Sequence, residues 1–309
     1  MQKKTIKAAI EKKMNEWLDT ITDASLKDDV KDNIVVSGGC IASMLLNEPV
    51  NDFDVYLKDI DVVKRIAAYY VKKAVIFDEV EILDGRNRKE LISECERTFD
   101  NTIYAINNSF AVSLRNLKEN QIKLYFKGAK SGIRTNEAVE TKDLNYHAVY
   151  FSPNAISLSN NLQIVLRFHG SVEEIHKTYD FVHATNYFTF KEGVVTNIAA
   201  LESILSKQLK YQGSLYPVTS IIRSKKFIKR GFNIGAGELL KIMFQISQMD
   251  LSNPDVLEEQ IIGIDVAYFS TLIEILRNKI DTDTSFKLNA EYINTLIDKV
   301  FSDSADMQE

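Results

Sequence analysis

The sequence predicts an α+β fold: a mixed sheet with flanking helices, followed by an all-helical C-terminal domain. Two observations carry this. The spacing of apolar residues switches from helical to alternating near residue 33 and back to helical from about residue 194. Between these points short β-rich runs are interleaved with helical ones, and the glycines Gly38 and Gly39 separate the first strand from the first helix. The predicted domains are an N-terminal helix over 1–32, an α/β domain over 33–190 and a helical domain over 191–309.

The elements follow in order. Ile6, Ile10, Met14, Trp17 and Leu18 recur at helical spacing. Residues 33–37 form a β-rich run that stops at Gly38 and Gly39, and residues 40–46 suit a buried helix. Residues 47–51, with Pro49, make a turn into the alternating strand 52–57, and residues 61–72 return to helix. Strands are expected at 109–114, 122–126, 147–151 and 162–168, with a polar, partly helical stretch over 83–103. Ser171, with Glu174 three residues on, is a capping-box start for a helix ending near Tyr179, and 180–190 reads as a strand. Helices are expected over 199–209, 217–230 (ended by Gly231), 238–248, from Asn253-Pro254, 267–279 and 290–301.

Composition narrows the class of protein. A chain of 309 residues, 45% hydrophobic and 26% charged, can bury a core without staples. Cys40 and Cys95 fit neither a zinc pattern nor a disulfide framework, which points to a reducing, cytoplasmic setting. The charged amphipathic start has no signal-peptide pattern, and no apolar run approaches the ~18 residues a span requires. A net charge of −5 excludes a bulk nucleic-acid coat but leaves room for a local basic patch. Such a patch lies at 216–231, where Arg223, Lys225, Lys226, Lys229 and Arg230 fall within the last nine residues. Arg223 and Lys226 are the candidates there for contacting phosphate.

The chemistry centres on Ser37-Gly38-Gly39, twelve intervening residues, then Asp52-Phe53-Asp54. Two glycines between strand and helix let backbone N–H groups approach an anion, and the helix N-terminus adds donors and a favourable dipole. Asp52 and Asp54, two apart on a strand, project from one face. Paired carboxylates repel unless a cation sits between them, and hard oxygens select Mg²⁺ or Mn²⁺.

This pattern resembles the nucleotidyltransferase superfamily related to DNA polymerase β, matching as Val35-Val36-Ser37-Gly38-Gly39 and Asp52-Phe53-Asp54-Val55. The resemblance implies a nucleotidyltransferase-type sheet and Mg²⁺-dependent transfer of a nucleotide from an NTP, ATP included, to an acceptor hydroxyl. Ser37, Gly38 and Gly39 are then expected to hold phosphates and Asp52 and Asp54 to bind metal. The family's third carboxylate matches best at Asp180, between Tyr179 and Phe181, as metal ligand or as base. His176 and His183 flank it as possible substrate contacts, and Gln163 and Arg167 could face the site from a neighbouring strand. The stretches 163–187 and 214–231 also resemble nucleotidyltransferase-like proteins of tailed bacteriophages. An RNA 3′ end, tRNA among the candidates, is the expected acceptor, bound over the helical domain. A protein or small-molecule acceptor, or a catalytically silent nucleotide- or RNA-binding module, are the competing readings. The chain lacks the Arg-Arg-Asp and Glu-Asp-x-x-Arg motifs of standard bacterial CCA-adding enzymes.

Overall fold

The structure is a computed structural model that describes residues 1–76, 145–251 and 253–260, the strand backbones at 80–82, 103–106, 111–118, 121–126 and 133–135, and a helical stretch at 275–279 with a few positions beyond it. The expected helix within 83–103 lies outside the described residues, as do most of those at 267–279 and 290–301.

The N-terminal segment is two helices rather than one. α1 (Lys3–Leu18) buries Ile6, Ile10, Met14, Trp17 and Leu18. α2 (Ala24–Asn33) starts at Asp23, whose carboxylate accepts the Leu26 N–H. That Asx cap gives the chain a local reason to stop and restart, which the helical spacing of the apolar residues did not reveal. Then follow β1 (Ile34–Ser37), α3 (Gly39–Leu46), β2 (Phe53–Leu57) and α4 (Ile60–Ile76). Strands β3 (Val80–Ile82), β4 (Ile103–Ile106), β5 (Ala111–Lys118), β6 (Gln121–Phe126) and β7 (Ile133–Thr135) precede β8 (Ala148–Phe151), β9 (Ala155–Leu158) and β10 (Leu162–Val165). α5 (Val172–His176) begins at Ser171 with the expected capping box to Glu174. A 3-10 turn (Val182–Ala184), β11 (Tyr187–Thr189) and β12 (Gly193–Val195) follow, so the strand expected over 180–190 is confined to its last part.

Nine strands form one mixed sheet in the order β12-β11-β1-β2-β10-β9-β8-β7-β3, and β4, β5 and β6 form a separate sheet. β1 runs antiparallel to both β2 and β11, while β10 runs parallel to β2. One sheet face carries Ile34, Val36, Val55, Leu57, Leu162 and Ile164, which join the apolar sides of α1, α2, α3 and α4 in the main core. The other face carries Val35 and Tyr56, packed under Val172, Ile175 and Tyr179. The alternation along each strand thus separates a core face from the face that will bear the polar site.

The chain divides into two compact units, Met1–Ser206 and Lys207–Glu309. The division falls after the expected boundary at 190. β12 pairs with β11, and Asn197, at the start of α6 (Ile198–Ser206), bonds to Asn186 and Thr185, so this stretch belongs to the first unit. The N-terminal helices belong to it too, because their apolar faces are part of its core. The second unit holds α7 (Pro217–Lys229), α8 (Ala236–Ile246) and α9 (Pro254–Gln260). Among its described residues the strands are a two-residue parallel pair, β13 (Gln208–Leu209) with β14 (Asn233–Ile234).

Candidate active site at the glycine bend

Sheet register assembles the site. Ser37 lies opposite Asp54 on one side and Tyr187 on the other, and Asp54 lies beside Gln163, which pairs with Ser157. Each of these residues is one step from a main-core residue on its strand, so all five share the face away from that core. Tyr187, Ser37, Asp54, Gln163 and Ser157 therefore make a polar row across five adjacent strands. One pleat along, the same face is apolar, with Val35 and Tyr56 covered by α5.

Gly38 shapes the bend. Its φ of 91° and ψ of −153° lie where side chains are excluded, and it caps the start of α3. A Cβ there would sit 3.0 Å from Asp54 Oδ2, whereas a Cβ at Gly39 would meet nothing within 4 Å. The Asp54 carboxylate is thus turned onto the bend. Asp52 is exposed just before β2, and Asp54 is half-buried. The nearby Asp54 charge adds to burial in pushing the Cys40 thiol and the Tyr179 phenol up.

The three bend residues divide their roles. Ser37 is fully buried, and its Oγ lies 2.9 Å from Asn186 O and 2.9 Å from His176 Nε2. The hydroxyl has one proton, which goes to the Asn186 carbonyl. His176 must then donate from Nε2, a tautomer assigned by the network. The Gly38 N–H donates to Ala184 O at 3.1 Å. Ser37 and Gly38 hold the bend in shape. Gly39, first residue of α3, has no intrahelical acceptor for its N–H and is the one suited to meet an anion.

Asp180 lies just before the 3-10 turn. It is buried, and its Oδ1 accepts the N–H of its neighbour Phe181 at 3.0 Å. Among the described residues no group of three or more His, Cys, Asp or Glu side chains could hold a metal ion, so Asp52, Asp54 and Asp180 are not gathered as a triad. His183 is buried in the 3-10 turn. Arg167 is buried and donates to Asn154 Oδ1 at 3.1 Å. Arg223 and Lys226 lie on α7 in the second unit, Lys226 exposed and Arg223 half-buried. No helix among the described residues is long and apolar enough to cross a membrane.

His176 was legible only as a flank of Asp180, yet it bonds Ser37 across 139 residues. Its ring sits 5.2 Å from Tyr179 and 5.8 Å from Tyr187. Burial lowers its pKa from 6.5 to about 4, against the pull of Glu173. A folded pKa below the unfolded one means that the unfolded chain binds the proton first as pH falls. Stability is therefore expected to decline from about pH 6.5 toward about pH 4. His169, also lowered by burial, acts in the same sense. His176→Gln keeps a donor for Ser37 but cannot titrate. Urea unfolding across this range should show a shallower decline for the variant, and an unchanged slope would mean that His176 is not buried neutral.

The site is thus a glycine bend at a helix N-terminus faced by the Asp54 carboxylate, on an α+β sheet. The family model for "Gad2: Gabija anti-defense 2 family protein" matches residues 8–207. The chain belongs to this family. A relative named Gabija anti-defense 2, from Bacillus phage SPbetaL7, is 23% identical over 209 residues, covering 63% of this chain and 52% of the relative. The chain therefore spans about half the length of the curated relative it matches. Among solved structures, the Thermotoga maritima CCA-adding enzyme complexed with tRNA shares 11% identity, with 90% of this chain and 57% of that chain covered and a TM-score of 0.35. The Bacillus stearothermophilus CCA-adding enzyme in complex with CTP shares 12% identity, with 78% and 47% covered and a TM-score of 0.30. At such TM-scores the likeness carries no argument.

Proposed function

We propose that the chain is a divalent-metal-dependent nucleotidyltransferase that moves an NMP from an NTP to an acceptor hydroxyl. The observation that carries the reading is the Asp54 carboxylate lying against the Gly38 bend, with Asp52 two residues before it. Two carboxylates suit Mg²⁺ or Mn²⁺, because Mg²⁺ is usually held by one or two carboxylates together with substrate phosphates and water rather than by an all-protein cage. Bound there, the ion would lower the charge cost of nucleophilic attack and of the leaving phosphate oxygens. Asp52 and Asp54 would hold it, and Gly39 with the first turn of α3 would take the terminal phosphates. The acceptor oxygen bonds to the α-phosphorus, the bond from that phosphorus to the bridging oxygen breaks, pyrophosphate leaves, and the hydroxyl proton passes to solvent.

The acceptor we favour is an RNA 3′ end. The basic surface of α7, Arg223 and Lys226 included, suits its phosphate backbone. The family's name supports a second reading, in which the acceptor hydroxyl belongs to a component of the Gabija defence and its modification disarms that defence. Purified protein is incubated with each α-labelled NTP and Mg²⁺, once with total RNA and once with extract of Gabija-bearing cells freed of RNA. Label on RNA is the expected result. Label only on a defence component selects the second reading, and no transfer from any NTP in either arm overturns the proposal.

A further inference from the structure

We propose that Gln163 supplies the third protein oxygen to the divalent cation held by Asp52 and Asp54, a role that rests on the nucleotidyl-transfer reading above. The inference starts from register. β10 runs parallel to β2 and sets Gln163 beside Asp54, on the face away from the main core. Strands paired this way lie ~4.8 Å apart, within the span over which one ion can be shared.

The Gln163 amide is also oriented. Its Nε2 donates to Ser157 Oγ at 3.3 Å, from the strand on the far side of β10 from Asp54. With the nitrogen turned toward β9, the oxygen is the end left to serve the site. Gln163 is half-buried, and among the described residues no hydrogen bond to its Oε1 is found. A carboxamide oxygen is a hard, neutral donor of the kind these cations accept.

Charge explains why a neutral group suits this place. Two carboxylates already balance one divalent ion. A third would hold the bare ion more tightly but would leave excess negative charge facing the incoming triphosphate. Asp180 is buried with Oδ1 accepting the Phe181 N–H, and among the described residues no group of three His, Cys, Asp or Glu side chains could hold a metal ion.

The test is Mn²⁺ binding to the full chain without nucleotide, read by the paramagnetic signal of free Mn²⁺. Asp54→Asn should weaken binding about tenfold or more, and Gln163→Ala by roughly threefold to tenfold. Gln163→Glu, nearly the same shape with an added charge, should tighten binding about tenfold. It guards against a folding defect in the alanine variant. Asp180→Asn should stay within about twofold of the wild type. If both Gln163 variants bind like the wild type while Asp54→Asn does not, Gln163 has no such role and the transfer reading stands. If Asp180→Asn loses binding as Asp54→Asn does, the third oxygen is Asp180's. If the wild type binds no Mn²⁺, or Asp54→Asn binds it equally well, the cation site fails and the transfer reading with it.

Discussion

Asp54→Asn should reduce nucleotidyl transfer by about a thousandfold or more while leaving the protein folded. The substitution keeps the size of the side chain and its place on β2 and removes only the charge. A divalent ion contributes several kcal/mol to stabilising charge in the transition state, and about 4 kcal/mol is about a thousandfold in rate. The same charge adds to burial in keeping the Cys40 thiol and the Tyr179 phenol un-ionised. The thermal midpoint of Asp54→Asn should stay close to that of the wild type, because the side chain keeps its size and its place on β2. Single-turnover transfer and a melting curve on one preparation make the check. A variant that keeps its full rate would remove Asp54 from the chemistry. A variant that loses rate and fold together would make Asp54 a structural residue.

Gly38→Ala should show the opposite partition, losing both stability and activity. At φ 91° and ψ −153°, an alanine is forced into backbone space that is essentially glycine's alone, at a cost of about 1–3 kcal/mol. Its Cβ would also press against Asp54 Oδ2 at 3.0 Å. The carboxylate must then swing off the bend, and a displacement of about 1 Å can cost on the order of a hundredfold in rate. Gly39→Ala is the control, because it meets open space and a Cβ there is tolerated at a helix start. It should lose at most a few-fold in activity and little stability. Denaturant midpoints and initial rates of the two alanine variants test the pair. Equal effects at Gly38 and Gly39 would show that the tight approach of Asp54 to Gly38 is unimportant.

The short-range features of this protein were readable from the residues. The strand, glycine bend, helix and Asp-x-Asp strand lie within 24 consecutive positions, from Ile34 to Leu57, and each follows from local spacing and turn chemistry. The capping box of α5 is equally local, because both partners sit within one helical turn. Other features needed distant partners. No spacing reveals that His176 would bond Ser37, or that Ser37 and Gly38 would spend their donors on Asn186 and Ala184. The Asp180 carboxylate also accepts the adjacent Phe181 N–H. The second unit's boundary moved because strand pairing, invisible in periodicity, bound residues up to Ser206 to the first.

By itself, the sequence determined which residues form the bend and the carboxylate pair, because a two-residue alternation and a pair of glycines constrain the backbone within a few bonds. Only the tertiary structure decided what surrounds them. Pairing β10 parallel to β2 placed Gln163 beside Asp54, and folding α5 over the sheet placed His176 on Ser37. Register is set by burying one whole face of a sheet at once, so a neighbour more than a hundred residues away is a property of the packed core and not of any local pattern.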